Sequence, residues 1–253
     1  MATSRMSLLP YLGSFRRTES RLALWRRRLA PTENLEQLRT VLPGESARPF
    51  TRVFDLICSG MGLIVLSPLL LLIALAIKVG DDGPIFYRQQ RVGKDFRPFG
   101  LLKFRTMLVG ADKTGLLTAP GDTRITRVGA FLRRYKLDEL PQLLNVVKGE
   151  MQLVGARPEV PQYVEMFRAQ YAVILREPPG ITDRASIAYR EEHKFLSSGD
   201  VERQYVTEIL PDKIRMSLRY QAERSFLSDI RLLFETLQGL FSKRSTQTGD
   251  SQR

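Results

Sequence analysis

Histidine and cysteine are almost missing from the chain. Its 253 residues contain one of each, His193 and Cys58. A single cysteine excludes an intrachain disulfide framework and any multi-cysteine metal site. A single histidine excludes His-rich zinc sites and leaves little from which to build a Ser-His-Asp hydrolase. No P-loop pattern, GxGxxG fingerprint or internal repeat is present, so the standard nucleotide-binding turns are not indicated. Lysine is absent from the first 52 residues, where ten arginines face four glutamates.

What is present is a core-forming composition and an excess of positive charge. Hydrophobic residues make up 43% and charged residues 26%, which excludes a wholly disordered chain. The length suits one main domain, alone or with added segments. The formal net charge is +12, and the first 52 residues supply ten minus four, or six, of it. A balance this basic points to an anionic partner: nucleic acid, an acidic membrane face or a phosphorylated substrate. The arm at 1–48 interleaves its arginines with Leu22, Leu24, Trp25 and Leu29 and holds no apolar stretch of signal-peptide type. It reads either as a solvated basic arm or as an amphipathic stretch on anionic membrane lipids.

From Leu56 to Ile77 there are 22 residues without a charge. As a helix that run spans roughly 33 Å at about 1.5 Å per residue, enough for a hydrocarbon core of about 30 Å. The alternative is a buried helix of a soluble protein. Ser67-Pro68 falls mid-run, where Pro68 has no N–H for the Ile64 carbonyl, so a kink is predicted with the Ser67 hydroxyl as a substitute donor. Arg52 precedes the run, and Lys78, Arg88 and Arg91 follow it. Lys- and Arg-rich flanks stay cytoplasmic, so charge on both sides favours a segment that enters and leaves on one face over a kinked span.

Beyond Lys78 the pattern predicts a β-hairpin from Ile85–Gly93 and Phe99–Met107, with Lys94-Asp95 at its tip, and a loop over 110–124. Helical spacing follows over Arg127–Leu137. A further helix is predicted with Asp138 as N-cap, Pro141 in its first turn and Gly149 as its stop. One helix is predicted from Pro158 or Pro161 to about Arg176, others over 201–224 and 226–241, and a frayed tail over 242–253. The fold class is α+β and mostly helical: a membrane segment over 49–80 and a domain over 81–241 with a small β-hairpin.

The chemistry-bearing cluster is Asp138-Glu139, preceded by Lys103, Arg105, Arg124, Arg127, Arg133, Arg134 and Lys136 and followed by Arg157-Pro158. Arginines fork phosphate oxygens, and a carboxylate can attack phosphorus or hold Mg²⁺ against a diphosphate. Taken as residues alone, an adjacent Asp-Glu is also a common solvated helix cap, and basic residues a common solvated face.

The segments GPIFYRQQRVG (83–93), KFRTM (103–107), TRVGAFLRRYKLDELPQLLNVVKGEMQLVGARPEVP (126–161) and PGIT (179–182), together with RVFD (52–55) and the run holding Ser67-Pro68, resemble the bacterial sugar transferases. These are small monotopic phosphoglycosyl transferases acting on polyprenyl phosphate, and the likeness covers about residues 50–240. It implies transfer of a sugar-1-phosphate from a UDP-sugar to undecaprenyl phosphate, with release of UMP. That is the first membrane step of exopolysaccharide, capsule or O-antigen repeat-unit synthesis, at the bacterial inner membrane with the catalytic domain facing the cytoplasm. By the same resemblance the membrane helix is re-entrant at Ser67 and Pro68. Asp138 is the nucleophile that carries the phosphosugar, Glu139 ligates Mg²⁺, and Arg133 holds phosphate. Lys103, Arg105, Arg157 and Pro158 bind nucleotide or phosphate. After PGIT the chain reads Asp183-Arg184-Ala185-Ser186, where many members have Gly-Trp. Two rival readings are a membrane-anchored scaffold without catalysis and a nucleic-acid binder. The uncharged run and the lack of a recognised DNA- or RNA-binding motif argue against the latter. The sugar and any homo-oligomer stay open.

Overall fold

The computed structural model describes residues 48–80, 82–111, 122–190 and 201–241. Apart from Arg48, the basic arm expected over 1–48 lies outside them, as do most of the loop at 110–124 and the tail at 242–253.

The first element, α1 (Arg48–Gly80), takes in the whole uncharged run with Pro68 inside it. Ser67 Oγ donates to the Ile64 carbonyl at 2.8 Å, satisfying the acceptor that Pro68 orphans. Only 11% of its most apolar stretch is buried. Ile64, Val65 and Leu71 are each more than 70% exposed, at 75%, 73% and 72%. The core helix of a soluble domain would bury such residues, so α1 is compatible with a membrane anchor.

A hairpin follows, β1 (Phe86–Val92) against β2 (Pro98–Phe104), antiparallel with Tyr87 opposite Lys103 and Val92 opposite Pro98. Its tip is a 3₁₀ turn, Lys94–Phe96. Next is α2 (Arg127–Arg134), capped by Thr126, whose hydroxyl accepts from the Gly129 N–H. A Cβ at Gly129 would lie 2.0 Å from the Thr106 carbonyl, so only glycine lets α2 press this closely on the chain leaving β2. The helix stops at Arg134, short of the expected Leu137. Lys136 adopts a left-handed conformation (φ 58°) and turns the chain into a 3₁₀ turn, Leu137–Glu139.

Here the predicted cap is corrected. Asp138 lies inside that 3₁₀ turn, and Pro141 is the N-cap of α3 (Gln142–Lys148). Pro141 has no N–H to bond back into a continuous helix, so the helix restarts at the proline. Gly149, with φ 84°, ends α3 as predicted. The Asn145 side chain docks α3 on the edge of β2, accepting from Leu102 N at 3.0 Å and donating to the Gly100 carbonyl at 2.9 Å.

A second, unpredicted sheet pairs β3 (Gln152–Val154) in parallel with β4 (Gly180–Thr182). Between them lie α4 (Pro161–Met166) and α5 (Arg168–Ile174), where one helix was expected; Phe167 (φ −118°) breaks it and is buried. After β4 come α6 (Arg184–Ala188), α7 (Val201–Gln204), a π-helical turn over Tyr205–Ile209, α8 (Leu210–Glu223) and α9 (Phe226–Phe241). The main core gathers Val160, Tyr163, Phe167, Tyr171, Ile209 and Ile214.

The long helix rests on this domain on both sides of Pro68. Before it, Phe54 and Cys58 pack against the cluster of Leu101, Val146 and Met151. There Arg52 also donates to the Val146 and Val147 carbonyls at the end of α3, a cation where the helix dipole is negative. Beyond it, Ile73 and Ile77 pack with Phe104 and Leu132.

Candidate active site

Three elements bring charged groups to the Leu137–Glu139 turn. The end of β2 supplies Lys103, the last turn of α2 supplies Arg133, and the loop leaving β3 supplies Arg157. The left-handed Lys136 reverses the chain so that the two carboxylates follow on a tight turn rather than along a helix. A non-glycine residue in that conformation is uncommon and is often found where a side chain must be aimed.

Asp138 is 7% exposed, and its Oδ1 has no hydrogen-bond partner among the described residues. Burial, and then the neighbouring Glu139 carboxylate, push Asp138 above the usual carboxylate range, while Lys103, Lys136 and Arg133 pull it back. Glu139 behaves in the opposite way. Burial would raise it too, but the Arg157 guanidinium, helped by Lys103 and Lys136, holds it well below the usual range. Arg157 Nη2 donates to Glu139 Oε1, and Lys136 Nζ lies 4.0 Å from the same oxygen. Two adjacent carboxylates are thus shifted in opposite directions, Asp138 upward and Glu139 downward. Burial also lowers the Lys103 amine to about 8, against the pull of Glu139.

Of the sequence-predicted residues, Asp138, Glu139, Lys103, Arg133 and Arg157 come together here. Arg133 Nε donates to Thr106 Oγ1 at 2.8 Å, which aligns it across the end of β2. Pro158 is buried behind the site, and its carbonyl accepts from Arg91 Nη1 at 2.9 Å. Arg105 is buried as well. It is 7% exposed, and its guanidinium lies where a side chain at Gly83 would stand. Ser67 and Pro68 sit mid-way along α1. Neither carboxylate begins α3, so the pair does not stand at the helix start where Asp138 was expected as the cap. Sequence reasoning gave no role to Thr106, nor to Gln142, which is 1% exposed with an Nε2 that has no partner among the described residues. Only their places inside KFRTM and LDELPQL hinted at either.

No cluster of three or more His, Cys, Asp or Glu that could hold a metal is found among the described residues. Mg²⁺ bound beside a diphosphate takes one or two carboxylates and completes its shell with phosphate oxygens and water. The unpartnered Oδ1 of Asp138 beside the ionised Glu139 fits such an ion.

Residues 46–243 match the family model described as bacterial sugar transferase. The chain is similar to the exopolysaccharide production protein ExoY of Sinorhizobium fredii, 33% identical over 77% of this chain and 87% of that one. It is also similar to the UDP-glucose:undecaprenyl-phosphate glucose-1-phosphate transferase of Caulobacter vibrioides, 34% identical over 85% of this chain and 79% of that one. A third relative, the UDP-N-acetylgalactosamine-undecaprenyl-phosphate N-acetylgalactosaminephosphotransferase of Aeromonas hydrophila, is 33% identical over 81% of this chain and 47% of its own.

Proposed function

The chain belongs to the bacterial sugar transferase family, and from that premise we propose that it moves a sugar-1-phosphate from a UDP-sugar to undecaprenyl phosphate by way of a phosphosugar on Asp138. The observation that carries the proposal is the buried Asp138 oxygen without a partner, set among Lys103, Lys136 and Arg133 and beside a Glu139 neutralised by Arg157.

An Asp138 oxygen attacks the β-phosphorus of the UDP-sugar. The bond from that phosphorus to the oxygen bridging to the α-phosphate breaks, and UMP leaves with the electron pair. A phosphate oxygen of the lipid then attacks the same phosphorus. The Asp138 carboxylate departs, and a diphosphate-linked lipid sugar remains. Lys103 and Arg133 offset the charge that gathers on the phosphoryl oxygens, while Arg157 keeps Glu139 ionised. Glu139, with Asp138 beside it, would hold Mg²⁺, which when bound supplies charge neutralisation of the diphosphate. Two steps suit the problem, because two bulky anions need not meet in one transition state.

The site has to lie at the headgroup plane, where the lipid phosphate is. We place it at the cytoplasmic face of the bacterial inner membrane, with α1 re-entrant at Ser67-Pro68. A straight helix of 33 residues would reach roughly 50 Å, yet α1 packs on the same small domain at Phe54 and Cys58 and again at Ile73 and Ile77. Packing of both halves of α1 on one domain is what supports re-entry over a span. Anionic lipids suit the arginine-rich arm at 1–48. In a variant whose native Cys58 has been replaced, single cysteines placed near Arg48 and near Asp81 are expected to react only from the cytoplasmic side. Labelling from opposite sides would replace re-entry by a span.

Two of the relatives named above act on different sugars, glucose in one and N-acetylgalactosamine in the other. A panel of UDP-sugars given to a membrane fraction containing the protein and undecaprenyl phosphate is expected to yield UMP with one sugar well ahead of the rest. A scaffold that kept the fold without catalysis would release none.

A further inference from the structure

Arg157 sits on a loop without regular structure between β3 and α4, yet it has to hold its guanidinium on Glu139. One flank of that loop is fixed by the small sheet, with Gly155 N donating to the Thr182 carbonyl and Gly180 N to the Ala156 carbonyl, both at 2.9 Å. The other flank is fixed by Glu159. Its carboxylate accepts from Arg91 Nη1 at 2.8 Å and Val160 N at 3.0 Å through Oε1, and from the Tyr205 hydroxyl at 2.7 Å through Oε2. Its carbonyl accepts from Val92 N at 3.1 Å. Arg91 binds the Pro158 carbonyl as well, and is itself braced by Gln89 Oε1 at 2.8 Å. Tyr205 opens the π-helical turn, and Lys213 Nζ stands 3.4 Å from its hydroxyl. The side chains of Arg91 and Glu159 are 16% and 11% exposed.

Nothing in the transfer chemistry uses Glu159. Its oxygens are occupied by donors from three elements, so it is not available as a metal ligand or base. Burial would raise its carboxyl, but Arg91 and Lys213 hold it below the usual range, so it stays ionised in this clamp. Pro158 fixes its own φ and keeps Arg157 in extended backbone, which makes Arg157-Pro158-Glu159 a stiff segment. Restraint at Glu159 is therefore passed to Arg157. π turns of this kind recur at functional sites, and this one delivers the Tyr205 hydroxyl.

We infer that Glu159, gripped by Arg91 from the hairpin and Tyr205 from the π turn, is a positioning residue that holds Arg157 on Glu139. The inference rests on the transferase reading for its kinetic consequence, but not for its geometry.

The test is a double-mutant cycle on the full chain in membranes. Glu159→Gln and Tyr205→Phe are each made alone and in an Arg157→Lys background, and UMP release and backbone hydrogen exchange over 155–160 are followed. In the wild-type background Glu159→Gln is expected to lower kcat by about 10-fold or more, since a misplacement near 1 Å can cost up to about 100-fold. In the Arg157→Lys background it should cost little further, because the group it positions is already gone. Exchange over 155–160 should rise in both single variants. Equal fold-losses in the two backgrounds would make Glu159 a plain core ion pair and overturn the inference, as would unchanged exchange. If Glu159→Gln fails to fold, Tyr205→Phe, which removes one hydroxyl, carries the same cycle. Should the wild type release no UMP, the transferase reading fails, and exchange alone decides whether the clamp holds.

Discussion

Asp138→Asn is expected to abolish UMP release, by about 10⁴-fold or more, while leaving the fold at least as stable as the wild type. The activity loss follows from chemistry. A neutral amide is a far poorer nucleophile toward phosphorus than a carboxylate, and no other carboxylate shares the position, since Glu139 is held by Arg157. The stability result follows from burial. Folding raises Asp138 above the usual carboxylate range, chiefly by desolvation and next by Glu139. For a group shifted upward, the stabilisation is fully present below the unfolded pKa and is lost as pH rises through the folded value. At neutral pH the buried Asp138 carboxyl is therefore a cost to the native state, and asparagine removes that cost. Thermal unfolding in detergent at pH 7 should give a midpoint equal to or above that of the wild type. A lower midpoint with lost activity would point to collapse of the site instead of loss of a nucleophile.

Arg157→Ala is expected to be damaging twice over. It leaves Glu139, 14% exposed, without its closest counter-ion and directly beside Asp138. Breaking a buried pair by removing one partner costs about 3–5 kcal/mol, and the partial exposure of Arg157 (28%) places this case near the lower end, about 3 kcal/mol. Turnover should drop by about 100-fold or more with the lost preorganised charge. The pH dependence has a definite sign. Glu139 is depressed in the folded state, so the stability it contributes is present above the ordinary glutamate pKa and is lost as pH falls through its lower folded value. The gap in stability between wild type and variant should be widest near neutrality and narrow on acidification. A gap that is the same at pH 7 and in acid would show that the pair contributes little to the fold.

These two residues were legible in the sequence, but the way they are held was not. The uncharged run from Leu56 to Ile77 announced α1 by composition alone, and Ser67-Pro68 announced the Ile64 carbonyl that Ser67 Oγ now binds. The hairpin was legible as two short segments either side of Lys94-Asp95, and Gly149 from its place after Lys148. What failed was local. Proline at 141 reads equally as a first-turn residue or as a break, and only the left-handed Lys136 shows that the chain has already left one helix and not yet entered the next. The β3–β4 pair has three residues per strand, too short for periodicity to register. Phe167 breaks a helix whose spacing runs straight through it, and its ring is buried. The Glu159 clamp joins residues 91, 159 and 205, and no single window of sequence holds all three.

Mass spectrometry of the protein incubated with its UDP-sugar and Mg²⁺, with no lipid acceptor present, tests the central proposition most directly. The expected result is a sugar-phosphate mass on the peptide containing Asp138, formed with one equivalent of UMP and discharged when undecaprenyl phosphate is added. An unmodified Asp138 peptide, with UMP released only once the lipid is present, would mean direct transfer between the two substrates and would contradict a covalent role for Asp138.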